Sequence, residues 1–174
     1  MGDLDERVDL ERMRDLRGRS QRPWFRRVLV ALLGIPVALA LTGALGQSTT
    51  TVRAVAPAAS LRVEVPDVLR GGLMWRVRIV VRATRTIEHP RIVLGPGYVR
   101  GMQLNTLEPS PESEASRGPK VVLSYGELAA GDELVVYLQL QVDPTTVGDE
   151  DTSVELDDEA RPIARIAHTT RVLP

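Results

Sequence analysis

The sequence predicts an all-β fold, an antiparallel β-sandwich over residues 61–174, tethered by one N-terminal transmembrane helix. Three observations carry this. Val28 to Leu45, VLVALLGIPVALALTGAL, runs through 18 residues without a charge. From Leu61 onward apolar and polar residues alternate with period two. Gly, Pro and Asp punctuate the alternating runs, and no helical period intervenes.

The apolar run comes first. At ~1.5 Å per residue a helix of this length reaches ~27 Å, close to a hydrocarbon core of ~30 Å. Trp24 and Phe25 precede it, where amphipathic rings favour the headgroup region, beside Arg22, Arg26 and Arg27. The expected membrane segment is 28–46. Pro36 is compatible with it, because neighbouring groups can satisfy the freed backbone. A cleaved signal peptide is the alternative, with Ala38-Leu39-Ala40 or Thr42-Gly43-Ala44 as small-x-small sites. The long preceding tail and the length of the run favour the uncleaved anchor.

Residues 1–27 hold eight Arg and six Asp plus Glu. Their apolar residues share no helical face, so a loose or transiently helical charged tail is expected. The 14 residues after Gly46 hold only Arg53. Positive flanks stay cytoplasmic, which puts the N-terminus inside and the long C-terminal part outside. Residues 47–60, QSTTTVRAVAPAAS, are small and Ser/Thr/Ala-rich. They read as an extended stalk.

The strands follow. Leu61, Val63 and Val65 alternate with Arg62 and Glu64. Trp75, Val77, Ile79, Val81 and Ala83 alternate with Arg76, Arg78, Val80 and Arg82. Ile92 to Leu94 ends at Gly95-Pro96-Gly97, and Tyr98 to Leu107 can form a strand with Met102 and Leu104 inward. EPSPESEASRGP, residues 108–119, reads as a polar loop. Val121, Leu123 and Tyr125 form a further row. The strongest strand carries Leu134, Val136, Leu138, Leu140 and Val142 against Val135, Tyr137, Gln139 and Gln141. Thr152 to Leu156 and Ile163 to Val172 make a last pair. Seven or eight strands result. Two facing sheets bury such rows; a small barrel is the other solution.

The alternating strand Trp75–Ala83 and the stretch LSYGELAAGDELVVYLQLQVDP at 123–144 resemble bacterial cell-surface immunoglobulin-like modules of the cell-adhesion-related type. A Leu-x-x-Gly-[Asp/Glu] turn into a long alternating strand is common to them. The resemblance implies an Ig-like sandwich and brings no catalytic residues. The chain as a whole also resembles small single-pass proteins of unknown function from high-GC Gram-positive bacteria.

Chemistry is sparse. The chain has no cysteine and a net charge of -1. Disulfides and thiolate metal sites are excluded, and no overall field favours nucleic acid. Ser124, Ser153 and nearby Asp could form a triad with His89 or His168 only on paper, without a nucleophile-elbow motif. A non-enzymatic protein without a cofactor is expected. Residues 149–159 hold seven acids and no base. Their spacing does not match a helix–loop–helix calcium site, and a solvated edge is the plainer reading. Trp75 and Tyr125 fall on inward rows and are expected in the core.

Two patterns remain. Arg76, Arg78 and Arg82 lie on one side of a strand opposite its apolar row. They are the candidate binding residues for an anionic envelope component, with Arg70, Arg85 and Arg91 extending the stretch. Attraction between this basic region and the acids of 149–159 is the competing account. Within the apolar run Gly34, Ala38, Thr42 and Gly46 recur every four residues, a stripe that permits close helix approach or a homo-oligomer. The expected protein is a single-pass membrane protein showing its sandwich for protein or envelope contact. An accessory subunit docked through its helix, or a secreted binding protein after cleavage, are the alternatives.

Overall fold

The computed structural model describes residues 22–41 and 49–174. The chain divides into two compact units, one up to Gly46 and one from Gln47. The expected tail up to residue 21 lies outside the described residues.

The first unit contains helix α1, Arg22–Leu41. It starts earlier than the expected 28, so Arg22 to Arg27 continue the helix on its N-terminal side. Pro23 is tolerated because first-turn N–H groups have no partner within the helix. Val28, Leu29, Val30, Leu32, Leu33, Ile35 and Val37 are all exposed. At 100° per residue they cover all but one sector, which Ala31, Gly34 and Ala38 occupy, so α1 is apolar all round beyond Arg27. Among the described residues no helix is long and apolar enough to cross a membrane. The uncharged part of α1 within them, residues 28–41, spans ~21 Å. Thr42 to Leu45, the rest of the apolar run, lie outside the described residues.

The second unit holds thirteen strands. The first sheet contains β1 (Thr49–Val55), β2 (Ala59–Pro66), β4 (Met74–Ala83), β6 (Met102–Glu108) and β9 (Glu133–Val142), in the order β1-β2-β4-β9-β6. The second contains β5 (Pro90–Leu94), β7 (Ser113–Arg117), β8 (Lys120–Ser124), β11 (Val154–Asp158) and β12 (Arg161–Ile166), in the order β12-β11-β5-β8-β7. Both are antiparallel throughout. A small third sheet joins β3 (Val68–Arg70), β10 (Gly148–Asp151) and β13 (Thr169–Leu173). There β13 runs parallel to β3, so the fold is not purely antiparallel.

One core lies between the two large sheets. Leu61, Val63, Val65, Val77, Ile79, Val81, Val136, Leu138 and Leu140 enter it from the first sheet. Ile92, Leu94, Leu123, Val154, Leu156 and Ile166 enter from the second. The predicted inward rows of β2, β4 and β9 are the buried ones. Two distinct sheets decide for a sandwich over a barrel. Trp75 and Tyr125 are buried as expected, and the Trp75 ring stacks on Tyr98 with centroids 6.1 Å apart.

Three expectations need correction. Residues 47–60 are not a stalk: β1 pairs with β2 from Thr49↔Pro66 to Val55↔Ser60, and Val52 and Ala54 pack on the core. The sandwich therefore takes in residues before Leu61. Tyr98 does not begin a strand; it closes a 3-10 turn, Pro96–Tyr98, and is buried. Leu104 faces inward with Met102 as expected, opposite the buried Leu140, but is 38% exposed because β6 is the edge strand. A bulge between Leu104 and Thr106 then resets the period and brings Leu107 opposite Leu138 on the same side. Part of the predicted loop 108–119 is strand β7, a fully exposed edge paired with β8.

Candidate interaction face on the first sheet

Arg76, Arg78 and Arg82 all leave β4 on the outer face of the first sheet, away from the core. Period two along one strand dictates this. Strand order decides what surrounds them. The register places Arg62 of β2 opposite Val80, Glu64 opposite Arg78 and Ser60 opposite Arg82. On the far side Gln139, Tyr137, Val135 and Glu133 of β9 face Arg76, Arg78, Val80 and Arg82. One strand further out, Arg53 of β1 stands opposite Arg62.

A shallow depression of about 200 Å³ lies here, lined by Arg53, Arg62, Arg78, Arg82, Val80 and Glu133, with Ser60 at its side. Val80 is buried although it points away from the core, and the arginine side chains around it form the walls. Long Arg stems cover apolar surface in this way while their heads stay wet. Arg78 Nη1 donates to Glu64 at 3.1 Å, and its guanidinium carbon lies 6.0 Å from the Tyr137 ring centroid. Tyr137 and Glu64 both hold the Arg78 charge, which raises its pKa from an already high value. Arg78 Nε is buried without a hydrogen-bond partner. Among the described residues Arg53, Arg62, Arg76 and Arg82 form no ion pair. Arg76 stands apart in a neighbouring depression of about 300 Å³ with Glu108, Thr106, Tyr137 and Gln139.

The structure thus gathers two of the three predicted arginines with two others. The sequence reading places Arg53 in a stalk and Arg62 on the polar row of a strand. The alternation Thr51, Arg53, Val55 against Val52 and Ala54 was the available signal for Arg53. Arg91 does not extend the basic region: it sits on β5 in the other sheet and donates to the Glu159 carbonyl at 2.9 Å.

The acids of 149–159 do not neutralise this face. Glu155 accepts from Lys120 at 2.8 Å and lies 3.3 Å from Arg165. Arg117 donates to the nearly buried Asp157 at 3.0 Å. Arg171 grips Asp149 through Nε and Nη2 at 2.8 and 3.1 Å, which lowers the Asp149 pKa. Asp158 accepts from the His89 backbone at 3.0 Å. These partners lie on the second and third sheets or the loops beside them. Among the described residues no group of three or more His, Asp or Glu is arranged to hold a metal ion.

One polar constellation was not foreseen. His168 lies between β12 and β13 rather than within a strand. Its Nδ1 is 2.8 Å from Thr152 Oγ1, and its Nε2 is 3.0 Å from Asp67 Oδ1. Thr50 Oγ1 donates to the other Asp67 oxygen. Thr152 Oγ1 also lies 2.9 Å from Thr170 Oγ1, which donates to the Pro66 carbonyl at 2.9 Å. The hydroxyl–imidazole–carboxylate order resembles a hydrolase triad. Thr152, however, is fully buried, and its hydroxyl is already engaged by Thr170. A nucleophile must reach its substrate, so the geometry suits a structural clasp. It ties β1 to the β3 and β13 junction. Ser153, one of the two serines that could join a triad only on paper, is buried with its hydroxyl unpartnered.

Of the small-residue stripe, Gly34 has nothing within 4 Å of an added Cβ, and Ala38 is exposed. Thr42 and Gly46 lie outside the described residues.

Fold and site together define a β-sandwich with an arginine-rich outer face. No protein-family model matches the chain, and no curated protein matches it. Among solved structures it is similar to a non-cellulosomal cohesin from the hyperthermophilic archaeon Archaeoglobus fulgidus. That match has 14% identity and a TM-score of 0.42, covering 73% of this chain and 92% of the other. It is also similar to CaCohA2 from Clostridium acetobutylicum, at 10% identity and a TM-score of 0.41, covering 60% of this chain and 86% of the other.

Proposed function

We propose that the chain is a non-enzymatic, single-pass membrane protein that holds its N-terminus in the cytoplasm and displays the sandwich outside as a module for protein or envelope contact. The observation that carries this is a helix, apolar all round beyond Arg27, attached to a sandwich that already has its own closed core. Exposing such a helix to water forfeits about 25 cal/mol for each Å² of apolar surface. A bilayer removes that cost, provided that the helix continues through Leu45. The Arg excess before Val28 sets the direction. The contact surface in this reading is the outer face of the first sheet, where charged side chains stand without partners.

Protease added to intact cells should remove the sandwich and spare the N-terminal tail, and the membrane-extracted protein should keep residues 1–46. A mature chain beginning between Thr42 and Gln47 would support secretion after cleavage instead. The open space beside Gly34 favours a second reading, an accessory subunit docked through its helix. Replacing Gly34 and Ala38 with Leu separates the two. Loss of partner capture in native membranes, with the sandwich still folded, assigns the contact to the helix.

A further inference from the structure

We infer that the depression between β1, β2 and β4 is a phosphate-binding site. This deepens the reading of the first sheet's outer face as a contact surface, but does not depend on which side of a membrane that face is shown.

Three observations point to an anion. The first is Arg53 directly opposite Arg62. Like charges across a strand pair are destabilising, and neither arginine has an acid within ion-pair distance among the described residues. A fold that keeps such a pair has left a charge for something else to neutralise. The second is the Arg78 guanidinium, which lines the depression and meets an acid through Nη1 alone, Glu64 Oε1 at 3.1 Å. The third is the charge balance. Four guanidinium groups line the depression, and only Glu133 within it and Glu64 beside Arg78 oppose them, leaving +2.

The arrangement selects the kind of anion. The guanidinium groups come from three adjacent strands. A planar carboxylate offers two oxygens in one plane. A tetrahedral phosphate offers oxygens in several directions, and guanidinium forks match it with paired hydrogen bonds. Val80 gives the floor an apolar patch that takes no part in the polar contacts.

The test uses the full chain in a non-ionic detergent, which adds no competing charge. Titration calorimetry is run with inorganic phosphate, with polyphosphate and with poly-L-glutamate as the carboxylate control. Both phosphate probes should bind at 50 mM salt and weaken at least tenfold at 0.5 M, because added salt shortens the screening length. Tighter binding of polyphosphate than of the single ion assigns the source to a phosphate polymer; equal binding assigns it to a lone phosphate group. Arg62→Gln and Arg82→Gln should each weaken phosphate binding at least tenfold. Arg62→Gln should leave the melting temperature unchanged or raise it, since it relieves the Arg53 repulsion. Arg100→Gln, an exposed arginine outside the depression, should bind as wild type. No binding of either phosphate probe overturns the proposal. So does poly-L-glutamate binding as tightly as polyphosphate, or an equal loss in Arg100→Gln. None of these outcomes bears on membrane topology, which the protease experiment reads separately.

Discussion

Thr152 and His168 face each other across the small sheet, with Oγ1 2.8 Å from Nδ1. The contact fixes the imidazole so that Nε2 meets Asp67, and Asp67 in turn holds Thr50 of β1. The first strand of the sandwich is thus clasped by residues far along the chain.

The clasp predicts an acid-sensitive stability. Hydrogen bonds from Thr50 and then from His168 hold the Asp67 carboxyl below its ordinary value of 3.8. A carboxylate whose folded pKa is depressed contributes stability above its unfolded value. That contribution fades as pH falls through the folded one. Wild type should therefore melt above Asp67→Asn at pH 5, where the Asp67 carboxylate is ionised. The margin should shrink below pH 3.8. A margin that does not change with pH would leave the clasp without its ionised carboxylate.

The two faces of β9 should differ in cost. Leu138 is fully buried and Tyr137 is substantially exposed. Leu138→Ala should destabilise by about 2–5 kcal/mol in chemical denaturation. Tyr137→Ala should cost under about 1 kcal/mol, as exposed positions usually do. Equal costs would mean that another layer covers the outer face.

Gly97 should resist enlargement. A Cβ there would lie 2.6 Å from the Asp151 carbonyl oxygen, a backbone atom that cannot swing away. The adjoining Tyr98 is fixed by its stacking on Trp75 and by donating to the Thr152 carbonyl at 3.1 Å. Gly97→Ala should cost about 1–3 kcal/mol through overpacking, measured by thermal or urea unfolding. Gly118→Ala tests a different term. Its Cβ would meet open space, but its φ of +60° penalises the side chain by about 1 kcal/mol.

The Arg117–Asp157 pair should be asymmetric. The Asp157 side chain is 4% exposed and that of Arg117 is 48% exposed. Arg117→Ala strands a buried carboxylate and should cost about 1–3 kcal/mol or more. Asp157→Asn leaves an arginine that water can still reach and an amide that can still accept from it, so the loss should be smaller. A larger loss in Asp157→Asn than in Arg117→Ala would contradict this account.

Much was legible in the sequence because it is set locally. Side chains alternate along a strand for steric reasons, so Val136, Leu138 and Leu140 on one face and Arg76, Arg78 and Arg82 on the other follow from spacing alone. The Gly95-Pro96-Gly97 turn, the polar outer positions of β2 and the apolar run in α1 are local in the same way. The tertiary structure decided which strands became neighbours. Only the order β1-β2-β4 sets Arg53 and Arg62 beside Arg78 and Arg82. Only the placement of β11 in the second sheet turns Glu155 and Asp157 toward Lys120, Arg165 and Arg117 instead of the β4 arginines. Asp67 and His168 meet across 101 positions of sequence. The half-buried row of β1 was too small and polar to mark a strand by itself. It became one because pairing with β2 satisfies its backbone and the core covers Val52 and Ala54. Such pairings minimise the free energy of the whole buried core, and no local spacing encodes them.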